Sequence, residues 1–397
     1  MTVPRTIVIT GAGIGGLTAA LALAKHGFRV TVIEQAERLA DIGSGIQLSP
    51  NASRVLIDLG LGGKLASRIV VPEELKVMNA RSGRVLAQAT LGADAAKRYG
   101  APYWVIHRGD LQAVLRDAIT ATPLITLYLG TKVEDIATHA NGVTVSGSCQ
   151  MQPIEMHGSA LIGADGLWST LRRRLGHRST PRFARHSAWR ALVPASAVSS
   201  ALRSPTLNLW LGRHAHLVHY PVRGGQLINV VAILRDSWRE PGWSAPGERQ
   251  EILARFREGM WQPQARELIG AADTWQKWAL YDCRPLDRWG IGPVTLLGDA
   301  AHPMLPYLAQ GAAMALEDAA VVAQCLARTP DDPMTAFRAY EDKRHRRTTR
   351  TQRAARRNGT VYHMGGAEAF LRGLALMAMR GTGLLRRYNW LYRWRPD

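Results

Sequence analysis

The 397 residues are enough for two or three domains with substantial cores, and 46% hydrophobic residues without a low-complexity block or internal repeat exclude a disordered or fibrous chain. The net charge of +19 comes from 50 basic and 31 acidic residues. No nucleic-acid motif or set of stacking aromatics accompanies it, so it reads as a general pull on anionic small molecules, not as a nucleic-acid or membrane surface. Cys149, Cys283 and Cys325 stand in no CxxC or metal spacing, so no metal site is expected and a reducing, cytoplasmic setting is.

The first elements lie in "RTIVITGAGIGGLTAALALAKHGFRVTVIEQA". This stretch is largely apolar, but Lys25, His26, Arg29 and interspersed glycines break it, so it is not expected to be a leader or a membrane span. A buried strand over Thr6 to Thr10 runs into Gly11-Ala-Gly13-Ile14-Gly15-Gly16. A helix to about His26 follows, and a second strand ends at Glu34. The order strand, GxGxxG, helix, strand, acid is a dinucleotide-binding βαβ unit. Gly11 permits the tight turn, Gly13 lets a pyrophosphate approach the backbone, and Gly16 lets helix and strand pack closely. Glu34 is placed to bond a ribose diol. At this point NAD and FAD are both open, and a merely structural glycine turn is the plain alternative.

Further along, "LKVMNARSGRVLAQATL" reads as a hairpin around Arg81-Ser-Gly83, and "VIHRGDLQAVL" places Arg108 at a helix start. "VEDIATHANGVTVSG" turns at Asn141-Gly142, a strong two-residue hairpin signal. "LIGADGLWSTLRRRL" is a short strand, then Asp165-Gly166, then a capped helix. A long hairpin turning at Arg223-Gly-Gly225 follows, and its first strand puts His214, His216, Val218 and Tyr220 on one face and Leu217 and His219 on the other. "VTLLGDAAHP" is a buried strand with Asp299 beyond its carboxyl end, where open α/β sheets bind ligands. After Pro303 and Pro306 comes "LAQGAAMALEDAA", with Gln310, Gly311 and Ala312 at a helix start; Glu317 and Asp318 are expected in surface or helix–helix contacts. The basic run 343–359 is expected to be a solvated helix face, and 331–397 to be helical.

Three motifs, Gly11 to Gly16, Asp165-Gly166 and Gly298-Asp299, stand in an order and spacing that resemble the single-component FAD-dependent aromatic hydroxylases, or group A flavoprotein monooxygenases. The resemblance covers nearly the whole chain. It implies a Rossmann-like α/β FAD-binding domain assembled from 1–75, 100–175 and 280–330. A mainly antiparallel substrate-binding sheet from 76–99 and 176–279 would roof the substrate pocket, with a C-terminal helical region over 331–397. By the same resemblance Asp299 holds the ribityl chain, Arg108 contacts the cofactor, and Asp165 serves the pyrophosphate and the use of reduced nicotinamide. Gly45, Ile46 and Gln47 of "GSGIQLSPN" lie beside the flavin ring. Pro306 fixes the path past the flavin edge, and the helix begun at Gly311 and Ala312 aims its positive end at the pyrimidine side. Ile14, Gly15 and Gln35 join the cofactor set.

Within that family the pattern is nearest to 3-hydroxybenzoate 6-hydroxylases and salicylate hydroxylases, which implies that His216, Tyr220 and Gln310 line a phenol pocket. The tail "NWLYRWRPD" is also similar to that subgroup's, departing at Arg393 and Arg395. The implied reaction uses NADH or NADPH and O2 and proceeds through a flavin C4a-hydroperoxide, which a phenolate attacks better than a phenol. His216 is the expected base, because imidazole has a pKa near the operating pH. Tyr103 could border the pocket, and Leu48, Met304, Leu305 and Leu308 are expected to help line it and keep it dry. A homodimer is common in the family. The competing readings are a hydroxylase of a larger ubiquinone-pathway or natural-product substrate, a non-oxygenating FAD reductase or halogenase, and a basic binding protein without flavin.

Overall fold

The computed structural model describes residues 5–39, 43–238, 244–379 and 383–396. Five parallel strands form the first sheet, in the order Val294–Leu296, Ala160–Gly163, Thr6–Thr10, Arg29–Ile33 and Ile125–Tyr128. Parallel strands covered on both faces need continuous apolar runs, and Ile7, Val8, Ile9, Leu161 and Ile162 are all fully buried. The first helix (Ile14–Lys25) lies against the helix Gly311–Arg328. Small residues permit that approach: a Cβ on Gly15 would stand 2.7 Å from Leu297 Cδ2 and 3.1 Å from Ala315 Cβ.

An eight-stranded sheet runs Ala245–Gly247, Trp275–Asp282, Arg182–Pro194, Leu227–Arg235, Ala215–Val222, Thr206–Leu211, Glu74–Asn79 and Val85–Thr90. All its pairs are antiparallel except Thr206–Leu211 with Glu74–Asn79. The hairpin around Arg81 therefore joins the long hairpin in one sheet. The Asn141-Gly142 hairpin instead pairs with Gln152–Gly158 in a separate three-stranded sheet. A second small sheet sets Gly45–Leu48 and Ile69–Val70 on either side of Trp104–His107, and this holds the 43–51 loop against the start of the Arg108–Thr120 helix. The C-terminal part is helical, led by Pro333–Tyr362. No helix among the described residues is long and apolar enough to cross a membrane.

Two expectations are decided here. Of the surface or helix–helix contacts expected of Glu317 and Asp318, the structure makes the helix–helix ones: both are fully buried between helices. The basic run is not simply the solvated face expected, since Arg344, Thr348, Thr351, Gln352 and Asn358 are buried. The cause is the same in both cases. Arg344 Nη1 donates to Glu317 Oε2 and its Nε to Asp318 Oδ1, each at 2.6 Å, while Arg347 reaches both Glu317 oxygens. Buried charge is tolerable when it is paired in this way.

Candidate active site

The carboxyl ends of the parallel strands and one face of the eight-stranded sheet enclose a cavity of about 390 Å³. Its cofactor-side wall is backbone-rich, with Gly13, Ile14 and Gly15 where the first strand turns into its helix, and Gly298 and Asp299 after the strand Val294–Leu296. Pro306, Gly311 and Ala312 complete that wall at the start of a second helix, and Gly45, Ile46, Gln47 and Arg108 close the side. Two helices of eight residues or more thus present unpaired N–H groups to the same space, a setting suited to anionic groups.

The remaining predicted cofactor residues sit outside the lining. Gly11 holds φ at +98°, and a Cβ on Gly16 would meet Gly11 O at 2.0 Å, so both serve the turn itself. Glu34 accepts from Ala12 N at 2.8 Å and Ala36 N at 2.9 Å, tying the second strand to the fingerprint, and Gln35 is exposed. Asp165 Oδ2 accepts from Leu171 N at 3.0 Å and so caps the following helix.

A flavin dinucleotide fits this frame. A Cβ on Gly13 would meet nothing within 4 Å, which leaves the backbone bare toward the cavity. Asp165 Oδ1 is buried without a hydrogen-bond partner among the described residues. Asp299 opens to the cavity while protein encloses it. That desolvation raises its carboxyl pKa, against the pull of His302, Arg108 and Arg172. Burial lowers the Arg108 guanidinium, with Asp299 opposing. No group of three His, Cys, Asp or Glu able to hold a metal occurs among the described residues.

The opposite wall is the sheet. His216, Val218 and Tyr220 line it from alternate positions of Ala215–Val222, joined by Val231 and Ile233 from the neighbouring strand. His219 points the other way, and its Nδ1 accepts from Trp210 Nε1 at 3.2 Å. Burial pushes the Tyr220 hydroxyl well above its ordinary range, with Arg190 and a Gln47 hydrogen bond opposing, so it stays protonated and can only donate or accept hydrogen bonds. Burial lowers the His216 imidazole well below its ordinary value, helped by His363 and His186, so this ring is neutral near pH 7 and not poised near the operating pH as its residue type led one to expect.

Gln310 also lines the cavity, but its amide is held from behind. Nε2 donates to Ser49 Oγ at 2.9 Å, and Oε1 accepts from Asn51 Nδ2 at 3.1 Å. Asn51 in turn donates to Glu317 at 2.7 Å, which links the cavity wall to the buried ion network. Tyr103 donates to Gln47 Oε1 at 2.8 Å and stands behind the lining, not in it. Of the four apolar residues expected there, only Met304 lines the cavity. Leu48 is buried in the core beside the parallel sheet, and Leu305 and Leu308 pack in other clusters.

Arg190 was not legible in the sequence. It reaches the cavity from Arg182–Pro194, stacks over Trp278 at 4.9 Å and donates to Ser44 Oγ at 3.3 Å, while its Nε finds no partner. Burial, reinforced by Arg108, lowers its pKa to about 10, so it remains a cation. Nothing in "SAWRALVP" separates it from the other strand arginines; only the fold turns it inward.

The FAD binding domain family matches residues 5–355. The chain is 37% identical over 393 residues to a 3-hydroxybenzoate 6-hydroxylase of Klebsiella oxytoca, covering 98% of this chain and 97% of that one. It is 38% identical over 392 residues to a 3-amino-4-hydroxybenzoate 2-monooxygenase of Streptomyces platensis, covering 98% and 96%. A salicylate hydroxylase solved as its substrate complex superposes with a TM-score of 0.82 at 26% identity, over 99% of this chain and 96% of that one.

Proposed function

This chain belongs to the FAD binding domain family and is an FAD-dependent aromatic hydroxylase, and from that premise we propose that it acts on a small phenol bearing a carboxylate, with His216 as the base. The observation that carries the reading is a buried, neutral imidazole on the cavity wall facing the flavin site, with a protonated tyrosine and an arginine whose Nε has no partner beside it. In this reading the backbone at Gly13 to Gly15 and at Gly311 and Ala312 would hold FAD together with Arg108 and Asp299. FAD, reduced by NAD(P)H, supplies the oxygen-activating chemistry, and the protein supplies binding, orientation and a base.

His216 accepts the phenolic proton, which raises electron density on the ring ortho and para to the oxygen. Tyr220 cannot share that task because its own hydroxyl stays protonated; it orients the ring by hydrogen bonding. Gln310, fixed by Ser49 and Asn51, offers its remaining amide hydrogen without needing to be ordered on binding. Met304, Val218, Val231 and Ile233 make the surrounding wall apolar, which excludes water from the reacting atoms. Arg190 is the counter-charge for the substrate's carboxylate, and the hydroxybenzoate relatives agree with that substrate class.

The test is substrate-stimulated NAD(P)H oxidation by the FAD-loaded protein across a series of hydroxybenzoates and uncharged phenols, with product identification. Hydroxylated product from a hydroxybenzoate is expected, and His216→Ala should lower product formation by about 10²–10⁴-fold, the usual worth of a positioned base. Unchanged product yield and coupling in His216→Ala would remove His216 from the reaction.

A further inference from the structure

The base of the preceding reading does not end at His216. His216 Nδ1 lies 2.8 Å from His363 Nε2, and His363 Nδ1 lies 3.0 Å from His186 Nε2. His186 Nδ1 lies 2.8 Å from the Ala184 carbonyl oxygen. Three imidazoles therefore run in file from the cavity wall, through the residue that ends the helix Pro333–Tyr362, to a half-buried histidine in the irregular start of the inner strand Arg182–Pro194.

The carbonyl at the end of the file decides every tautomer in it. A carbonyl oxygen only accepts, so His186 Nδ1 carries the hydrogen and, in a neutral ring, His186 Nε2 is the acceptor. His363 Nδ1 must then donate to it, which leaves His363 Nε2 as an acceptor. His216 Nδ1 must donate in turn, which leaves His216 Nε2 unprotonated, and no hydrogen bond to Nε2 occurs among the described residues. The backbone sets up this anchor. Arg185 has φ at +58° within a bulge between Phe183 and Ser187, and the bulge brings the His186 ring onto the carbonyl two residues back.

We propose that His216, His363 and His186 form a proton wire that carries the phenolic proton from the cavity to solvent beside Arg185. The phenol O–H breaks as Nε2–H of His216 forms. Nδ1–H of His216 breaks as Nε2–H of His363 forms, and Nδ1–H of His363 breaks as Nε2–H of His186 forms. His186 then gives its Nδ1–H, until then bonded to the Ala184 carbonyl, to water, so each ring takes a proton at one nitrogen and yields one at the other. The net change is one proton from phenol to solvent, with the tautomers of all three rings inverted. Reprotonation of the product phenolate by the reverse passage restores all three.

The surroundings favour a passage over a store. His216 is packed by the rings of Tyr307, Tyr362 and His363. The charged or titratable groups acting on His363 are His186, His214 and Arg372, and those acting on His186 are Arg235 and His214. None of them is an acid that would trap a proton on a ring. Burial also holds the His363 imidazole down at about 3, so this ring does not store a proton.

This inference rests on His216 being the base, and one experiment separates the two claims. Anaerobic, FAD-loaded full-length protein is mixed with 3-hydroxybenzoate in weak buffer containing a pH indicator, and the rate of proton release is followed by stopped flow. Wild-type protein should release a proton on binding. His363→Phe, His186→Leu and His186→Gln should each slow that release at least about tenfold, with flavin absorbance and 3-hydroxybenzoate affinity retained. Added imidazole should restore the His186 variants. His186→Gln can still hydrogen-bond but cannot relay, so its recovery to the wild-type rate would show a structural role and overturn the wire. Release that is lost in His216→Ala but unchanged in the His363 and His186 variants would overturn the wire alone. No release from wild type, or unchanged release in His216→Ala, would overturn the base reading and the wire together.

Discussion

Arg190 gives the cavity its sign. It is a guanidinium with its Nε unpaired, set beside a second arginine, and no carboxylate of the described chain neutralises it. Leaving a charge in that state is costly unless a ligand supplies the partner. A charge-assisted hydrogen bond contributes about 1.5–3 kcal/mol, so Arg190→Met should raise KM for a hydroxybenzoate by roughly 10- to 150-fold. KM for an uncharged phenol should hardly move. Steady-state kinetics on the two substrate types checks this. A fall in the flavin reduction potential with KM unchanged on both would instead give Arg190 to the reduced cofactor. Lysine is not an equivalent replacement, because it lacks the planar surface that stacks on Trp278.

The pair of helices Gly311–Arg328 and Pro333–Tyr362 carries the largest buried ion network in the described structure, and it stands directly behind Gln310. Arg344→Met would leave Glu317 with Arg347 alone and Asp318 with His302. Breaking one partner of a buried pair typically destabilises by about 3–5 kcal/mol, and thermal or urea unfolding of Arg344→Met should show a loss of that order. The network also marks the limit of what the sequence disclosed. The βαβ unit was legible because its strand, glycines, helix and acid are neighbours in the chain, and the His216–Tyr220 face was legible because strand alternation is local. Glu317 and Asp318 stayed open between surface and helix–helix contact because their partner Arg344 lies in a run whose basic residues point around the whole helix. His363 and His186 stand 177 residues apart in the chain, so no spacing rule joins them to His216. Leu48, Leu305 and Leu308 were misplaced for a related reason: a segment beside a cavity still has an inward and an outward side, and only packing decides which residue takes which.

Across the whole molecule, several histidines are kept neutral by burial, and this ties its stability to pH. His219 and His363 are held down at about 3, and His216 is also lowered well below its ordinary value. In the unfolded chain each would titrate near 6.5. Between those limits the unfolded state binds protons that the folded state refuses, so stability is fully present above about pH 6.5 and drains away as pH falls toward 3. Each such group contributes about 1.4 kcal/mol for every pH unit traversed in that window. The net charge of +19 works in the same direction, because acidification adds positive charge to a chain that already repels itself. His219 isolates the effect, being 1% exposed, on the sheet face away from the cavity and hydrogen-bonded through Nδ1 to Trp210. Neither cofactor nor substrate touches it in the proposed arrangement. Unfolding free energies of wild type and His219→Gln, measured from pH 7 to pH 4, should therefore both fall on acidification. The variant should fall less steeply, by up to one proton in the linkage slope, whatever its stability at pH 7. Parallel curves would mean that His219 takes up its proton in the folded state, and that the sheet opens there before the molecule unfolds.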